Sequence, residues 1–278
     1  MDSENNSTPE NSPDWKSKKE GIKTNAPLRF TLFLLKFLPL WFLRIVAFFN
    51  GIFFWFFAKD AKNEAARFQR QVLASGKKTK LKRVNTLKTI ISFALGIFEK
   101  MCGWLGKLSK KGIIYGIDDI DDYINGLEEK KGAFVIVSHM GNIELLRSLA
   151  TFSQLKVDHE IPVTIVMEKK STAIFMNTLN QMNPKSALNV IDPSEIGVDT
   201  IDRIQSCIDK GEIFVIAADR LQDSNSKENI VIPFLGKDAK FPYGVFFLAS
   251  LINTPRTYYC YCLRTSFFSV LPKYRVAM

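Results

Sequence analysis

Two kinds of apolar run divide this chain. Runs of helical length fill its first third, and short runs of strand length recur from Ala133 onward. The first long run, Leu28 to Ala58, has Arg29 at its start, is broken by Lys36 and Arg44, and carries Phe48-Phe49 and Phe53-Phe54-Trp55-Phe56-Phe57. A helix from Leu40 to Ala58 would be roughly 30 Å long at ~1.5 Å per residue, about the depth of a hydrocarbon core. Pro39 should start or bend it. The run therefore predicts a membrane-embedded element, with Arg44 snorkelling toward the interface if the helix begins at Leu40. A core helix of a soluble protein is the alternative. A second apolar helix is expected over Thr89 to Leu105, with Phe93, Ile97 and Met101 at helical spacing as its core stripe.

The short runs alternate with amphipathic segments. Ala133 to Val137, Ile161 to Met167, Leu188 to Ile191, Ile213 to Ala218 and Tyr258 to Cys262 read as strands. Ile117 to Leu127, the segment opening at Ile143, Thr172 to Leu179, Thr200 to Asp209 and Val245 to Leu251 read as helices. Ile230 to Gly236 and Ala239 to Gly244 stand between the last two groups. Strand and helix in alternation predict an α/β fold: a mixed, mostly parallel sheet flanked by helices on both faces, behind an N-terminal membrane-embedded helical element. The domain reading is a polar, disordered tail over 1–13, an anchoring segment over 14–60 and an α/β domain over 61–278.

The chemistry concentrates in Gly132 to Leu149, GAFVIVSHMGNIELLRSL. The apolar run ends at Ser138 and His139 follows at once. Gly141-Asn142 is a turn signal, Asn suits a helix N-cap, and Glu144 falls in the first helical turn. His139 is thus expected at the carboxyl end of a strand, where sites form in open α/β sheets, with Glu144 folded back toward its ring. Acyl transfer to a hydroxyl needs a base near neutrality, and a carboxylate behind the imidazole fixes its tautomer and stabilises the imidazolium. The substrate hydroxyl can then take the place of an enzyme nucleophile. A bare His-x4-acid spacing is weak, and a histidine satisfied at a strand end is the bland alternative. The second histidine, His159, has Thr164 at that offset.

The formal charge of +10, from 38 Lys+Arg against 28 Asp+Glu, favours anionic partners. Basic residues follow the aromatic run at Lys59, Lys62, Arg67, Arg70 and from Lys77 to Arg83, which places that flank on the cytoplasmic side. Lys77-Lys-Thr-Lys-Leu-Lys-Arg83 lacks aromatic interleaving, so anionic lipid is a better partner for it than nucleic acid. The four cysteines show no zinc spacing and fit a reducing compartment. Upstream, Trp15-Lys-Ser-Lys-Lys-Glu-Gly21 reads as a solvated tail or an interfacial anchor. Asp119-x-Asp121 has the spacing of a glycosyltransferase metal site, yet its acids sit where a helix starts and favour a solvated helix face.

His139-x-Gly141-Asn142-x-Glu144 after an apolar strand resembles the catalytic block of the lipid A late acyltransferase family, within the lysophospholipid acyltransferase superfamily. The resemblance runs from Trp15 to about Arg264. It includes Asp219-Arg220 at a strand end and Pro233-Phe-Leu-Gly236-x-x-Ala239-x-x-Pro242-x-Gly244. Glu144-Leu-Leu-Arg147 and Ala217-Ala-Asp-Arg220 are closer to a branch found with aryl polyene lipid biosynthesis. The resemblance implies a fatty acyl transferase on the cytoplasmic face of the bacterial inner membrane. Its donor would be an acidic acyl carrier protein or acyl-CoA, its acceptor a hydroxyl of a membrane lipid or glycolipid, with no metal or redox cofactor and no nucleic acid. His139 and Glu144 would be the catalytic dyad. Gly141, Asn142, Arg147, Asp219 and Arg220 would shape the substrate site, Arg220 or nearby backbone N–H groups stabilising the oxyanion. Lys169 or Lys170 stands where lipid A enzymes carry an arginine. Relatives continue past the point matching Met278, which implies a short or truncated variant. The rival expectations are a non-catalytic lipid-binding protein and, more remotely, a metal-dependent glycosyltransferase using Asp119 and Asp121.

Overall fold

The computed structural model describes residues 34–35, 37–104, 113–115, 120–142, 161–169, 189–221, 229–267 and 272–278. Pro39, with φ −66° and ψ 148°, forms the extended entry to helix α1, Leu40–Phe57. The helix is long and apolar enough to cross a membrane, and most of its surface is open. Ala58 separates it from α2, Lys59–Ala74, and a loop leads to α3, Thr86–Trp104. α1 and α3 pack antiparallel. Trp55 donates its ring N–H to Thr86 Oγ1 (3.0 Å) near one end, and Arg44 pairs with Glu99 near the other. Between these contacts Gly51 lies so close to α3 that an added Cβ would come 2.9 Å from Ile91 Cα. Gln69 of α2 clamps the loop, donating to Asn85 O (3.2 Å) and accepting from Asn85 N (2.6 Å).

Two expectations for this layer are corrected. Arg44 does not snorkel: it is 7% exposed and ion-paired with the fully buried Glu99. A guanidinium this far inside a helix pair is retained because a carboxylate meets it there. Nor do Phe93 and Ile97 form the core stripe of α3. Phe93 is 68% exposed, and the buried hydrophobic side chains are Ile90, Ile91, Leu95 and Cys102. α3 is apolar on more than one side, so spacing alone could not choose its inner face. The small residues Ala47 and Gly51 of α1 chose it by admitting Ile91 and Leu95.

Behind this pair the described residues form a seven-stranded sheet in the order β1-β9-β8-β2-β5-β3-β4. Its strands are β1 Ile113–Tyr115, β2 Ala133–Gly141, β3 Val163–Val166, β4 Asn189–Ile191, β5 Ile213–Ala217, β8 Thr257–Arg264 and β9 Tyr274–Ala277. Every neighbouring pair is parallel except β8 and β9. The α/β, mostly parallel expectation therefore holds. Helices α4 (Ile120–Glu128), α5 (Val198–Asp209) and α6 (Tyr243–Leu251) flank it, and β6 (Asn229–Phe234) with β7 (Lys237–Pro242) forms a separate antiparallel hairpin.

The central strand explains the two layers. Ala133, Val135 and Val137 face a core shared with Leu43 of α1, Cys102 of α3 and Leu127 of α4. Phe134 and Ile136 face the opposite core with Ile204 and Ile208 of α5 and Val245 and Leu248 of α6. A strand covered on both sides is apolar at consecutive positions, which is the pattern Ala133 to Val137 displays. β2 does not stop at Val137 as expected. It runs on to Gly141, through a register shift against β8 that pairs Gly141 with Cys262. The helix expected over Thr172 to Leu179 and the tail 1–13 lie outside the described residues.

Candidate active site

β2 and β5 run parallel in register from Ala133 with Ile213 to Val137 with Ala217. Ala218 N donates to Val137 O (2.9 Å) just past the end of β5, while β2 continues along β8 to Gly141 at the carboxyl edge of the sheet. His139 and Asp219 emerge there together. Asp219 holds the histidine at two points: Oδ2 accepts from the backbone N–H of His139 (2.7 Å), and Oδ1 meets ring Nδ1 (2.8 Å). The side chains are 40% and 29% exposed. Partial burial pushes the Asp219 carboxyl up, but the hydrogen bonds from the His139 ring and backbone and the attraction of the imidazole outweigh it, and the net position is below the ordinary carboxylate value. A carboxylate on Nδ1 favours the tautomer with the proton there, and leaves Nε2 as the basic nitrogen.

Gly141 and Asn142 fix this end of β2. Gly141 has φ +84°, and a Cβ there would lie 1.8 Å from Cys262 O. Only glycine fits that combination of left-handed backbone and close approach. Asn142 then turns inward. Its N–H donates to Cys262 O (2.8 Å) and its Nδ2 to Tyr274 Oη (3.2 Å), and its buried Oδ1 has no partner among the described residues.

Tyr274 connects Asn142 to a buried charge cluster. Its hydroxyl donates to Glu99, which also binds Arg44 and accepts from Arg264 Nη2 (2.7 Å) and Nε (3.1 Å). Burial, then the charge of Glu99, holds the Tyr274 hydroxyl well above the ordinary phenol value. A continuous chain of polar contacts thus runs from helix α1 to the residue that ends the His-x-Gly-Asn turn. Sequence reasoning missed this cluster. Its signal was present as charges within two apolar helices, Arg44 in one and Glu99 in the other.

The other expected residues divide. Arg220 is exposed beside Asp219. Lys169 follows β3 at the same edge of the sheet, but its Nζ is held by both oxygens of Glu195 (2.7 and 2.9 Å) and its N–H by Asp192 (2.8 Å). Hydrogen bonds from the Ser194 hydroxyl and the Lys169 backbone bring the Asp192 carboxyl down to about 2. Glu144, Arg147 and Lys170 lie outside the described residues. Among the described residues, Asp219 makes an orienting contact with the imidazole.

Asp119 also lies outside the described residues. Asp121 is exposed in the first turn of α4, and Asp122 accepts the Tyr258 hydroxyl. Burial first, and that bond second, push the Tyr258 hydroxyl up to about 12. Among the described residues no three His, Cys, Asp or Glu side chains cluster as a metal site.

Compared with known proteins, the chain matches no family model and has no significant counterpart among curated sequences.

Proposed function

We propose that this protein is a membrane-associated O-acyltransferase of the lysophospholipid acyltransferase type. It would move a fatty acyl group from a thioester to a hydroxyl of a membrane lipid or glycolipid, with His139 as general base. The observation that carries this reading is the two-point grip of Asp219 on His139 at the carboxyl edge of a mostly parallel sheet.

The reaction would proceed in two movements. His139 Nε2 accepts the proton of the acceptor hydroxyl as its oxygen attacks the thioester carbonyl, and Asp219 stabilises the imidazolium that forms. The tetrahedral oxyanion is met by Arg220 or a neighbouring backbone N–H. The C–S bond then breaks, the ester C–O bond is complete, and the imidazolium returns its proton to the departing thiolate. No enzyme nucleophile, metal or redox cofactor enters this scheme. The resemblance assigns Glu144 to the scheme as a catalytic carboxylate, and Arg147 and Lys170 as substrate-binding groups.

Location follows the same reading. α1 presents Trp41, Phe49, Phe53, Phe56 and Phe57 at its surface, and basic residues follow it from Lys59. That combination supports seating at the cytoplasmic face of the inner membrane. The basic balance suits an acidic acyl carrier protein as donor, with acyl-CoA as the other thioester of this class.

The deciding measurement is single-turnover acyl transfer from acyl carrier protein thioester, and separately from acyl-CoA, into extracted inner-membrane lipids. His139→Ala at equal folded concentration should lose ~10²–10⁴-fold. His159→Ala should act like the unmodified protein. Full activity in His139→Ala would remove the reading.

A further inference from the structure

The β6–β7 hairpin is covered by neither core cluster. Cross-strand partners share a face, so Ile230 with Phe241, Ile232 with Ala239 and Phe234 with Lys237 line one side, while Val231 with Lys240 and Pro233 with Asp238 line the other. The first side is apolar except at the tip, and Ile230, Ile232 and Phe234 are exposed on it. A lone two-stranded hairpin gains little by itself in water, and an open apolar face makes its position costlier still.

Its location says what covers it. The hairpin follows β5 from the carboxyl edge where Asp219 sits, and feeds directly into α6 beneath the sheet. Its tip, Leu235-Gly236, turns through two positive φ values, 52° and 78°, and reaches the far layer. An added Cβ on Gly236 would lie 3.7 Å from Ser75 Cα, at the end of α2. From Ser75 the chain enters the basic loop 77–83, whose lysines and Arg83 are exposed, and returns to Thr86, the partner of Trp55 near the end of the apolar helix α1. Lys237, next to the tip, and Lys240, which pairs with Val231 further along β7, are both exposed. One apolar face and one cluster of cations therefore meet at the end of the helix read as membrane-seated.

We propose that the β6–β7 hairpin is a second membrane-interface element. Its Ile230–Ile232–Phe234 face enters the acyl boundary of an anionic leaflet while its lysines and loop 77–83 bind the headgroup phosphates. The hairpin would hold the carboxyl edge carrying His139 against the bilayer that supplies the acceptor lipid. This rests on the membrane seating in the reading above. Apolar side chains below a ring of lysines match the chemistry of an anionic interface better than that of a water-soluble partner.

The test uses the full chain in vesicles containing phosphatidylglycerol, with a nitroxide at Ile232→Cys, Val231→Cys or Phe53→Cys in a Cys207→Ser background. Collision with oxygen reports the bilayer interior and collision with a nickel chelate reports water. The Phe53 and Ile232 labels should be oxygen-rich and nickel-shielded, and the Val231 label nickel-accessible. Lys237→Glu with Lys240→Glu should raise nickel access at the Ile232 label several-fold, whereas unchanged access would remove the headgroup contact from the proposal. If the Ile232 label meets nickel as freely as Val231 while Phe53 is shielded, the hairpin lies in water. The proposal then fails and the seating of α1 stands. If Phe53 also meets nickel, the seating fails and the hairpin proposal with it. An Ile232 label shielded from both reagents is covered by protein, such as a second copy, which also overturns the proposal.

Discussion

Asp219 bonds both the backbone N–H and the ring Nδ1 of His139, at 2.7 and 2.8 Å, across the join between two parallel strands. One carboxylate so placed fixes where the histidine sits and which nitrogen is basic. Asp219→Asn retains the size of the side chain and loses both the charge and the tautomer. It should lower single-turnover acyl transfer by about 10⁴-fold, the scale found when the aspartate of a Ser-His-Asp triad is so changed. Membrane lipid binding should stay nearly intact. Glu144→Gln should also lower the rate. A larger loss in Glu144→Gln than in Asp219→Asn would move the orienting role back to Glu144.

The same pair links stability to pH. The folded Asp219 carboxyl titrates below its ordinary value. Its stabilising contribution is therefore complete above the unfolded carboxylate value of about 4, and is lost as pH falls through the lower folded value. The melting-temperature gap between the unmodified protein and Asp219→Asn should be constant from about pH 7 to pH 5 and close on further acidification. A gap that widens in acid would contradict the assignment.

Gly141→Ala should be costly. The new Cβ would lie 1.8 Å from Cys262 O at a backbone φ of +84°, so the β2–β8 contact must open. The left-handed backbone alone is worth about 1–3 kcal/mol, and the clash adds to it. Gly197→Ala is the control, because no described residue lies within 4 Å of its Cβ position. Thermal melts of the two variants should differ by several degrees, and only Gly141→Ala should lose activity.

The Arg44–Glu99–Arg264 cluster gives an ordered prediction. Glu99→Gln leaves the buried Arg44 and the part-buried Arg264 without their shared carboxylate, and should cost about 3–5 kcal/mol. Arg44→Leu leaves Glu99 still paired with Arg264, and should cost less. Tyr274→Phe removes the hydroxyl that joins Glu99 to Asn142, and should impair activity more than stability. Denaturant unfolding with parallel turnover assays ranks the three. Arg44→Leu proving the most destabilising would mean the cluster does not work as paired here.

Removing residues 1–60 should not release a soluble enzyme. Leu43 sits in the main core, Gly51 packs on Ile91, and Arg44 neutralises part of the charge environment of Glu99. Without α1, Ile91 and Leu95 face solvent. The truncated chain should aggregate or remain with membranes, as read by fractionation with and without detergent. A monodisperse, active fragment would show that α1 is a separate anchor.

The sequence by itself determined the period of its elements. Apolar runs of about five residues, alternating with amphipathic segments, identify a parallel sheet with two covered faces because a strand buried on both sides must be apolar at consecutive positions. Pro39 marked the start of α1, and Ser138-His139 marked the carboxyl edge of the sheet, both by local backbone rules. The sequence also put Asp219 at that same edge. What it could not decide was that Asp219 meets the imidazole. Glu144 is near in the chain, whereas Asp219 reaches the ring because β2 and β5 are neighbours in register, a fact of strand order and not of spacing. The inner face of α3 and the partner of Arg44 were hidden for the same reason. A helix apolar on several sides has no preferred face until a neighbour with small residues, here Ala47 and Gly51, comes close enough to choose one, and a charge in an apolar run has no partner until packing brings Glu99 beside it.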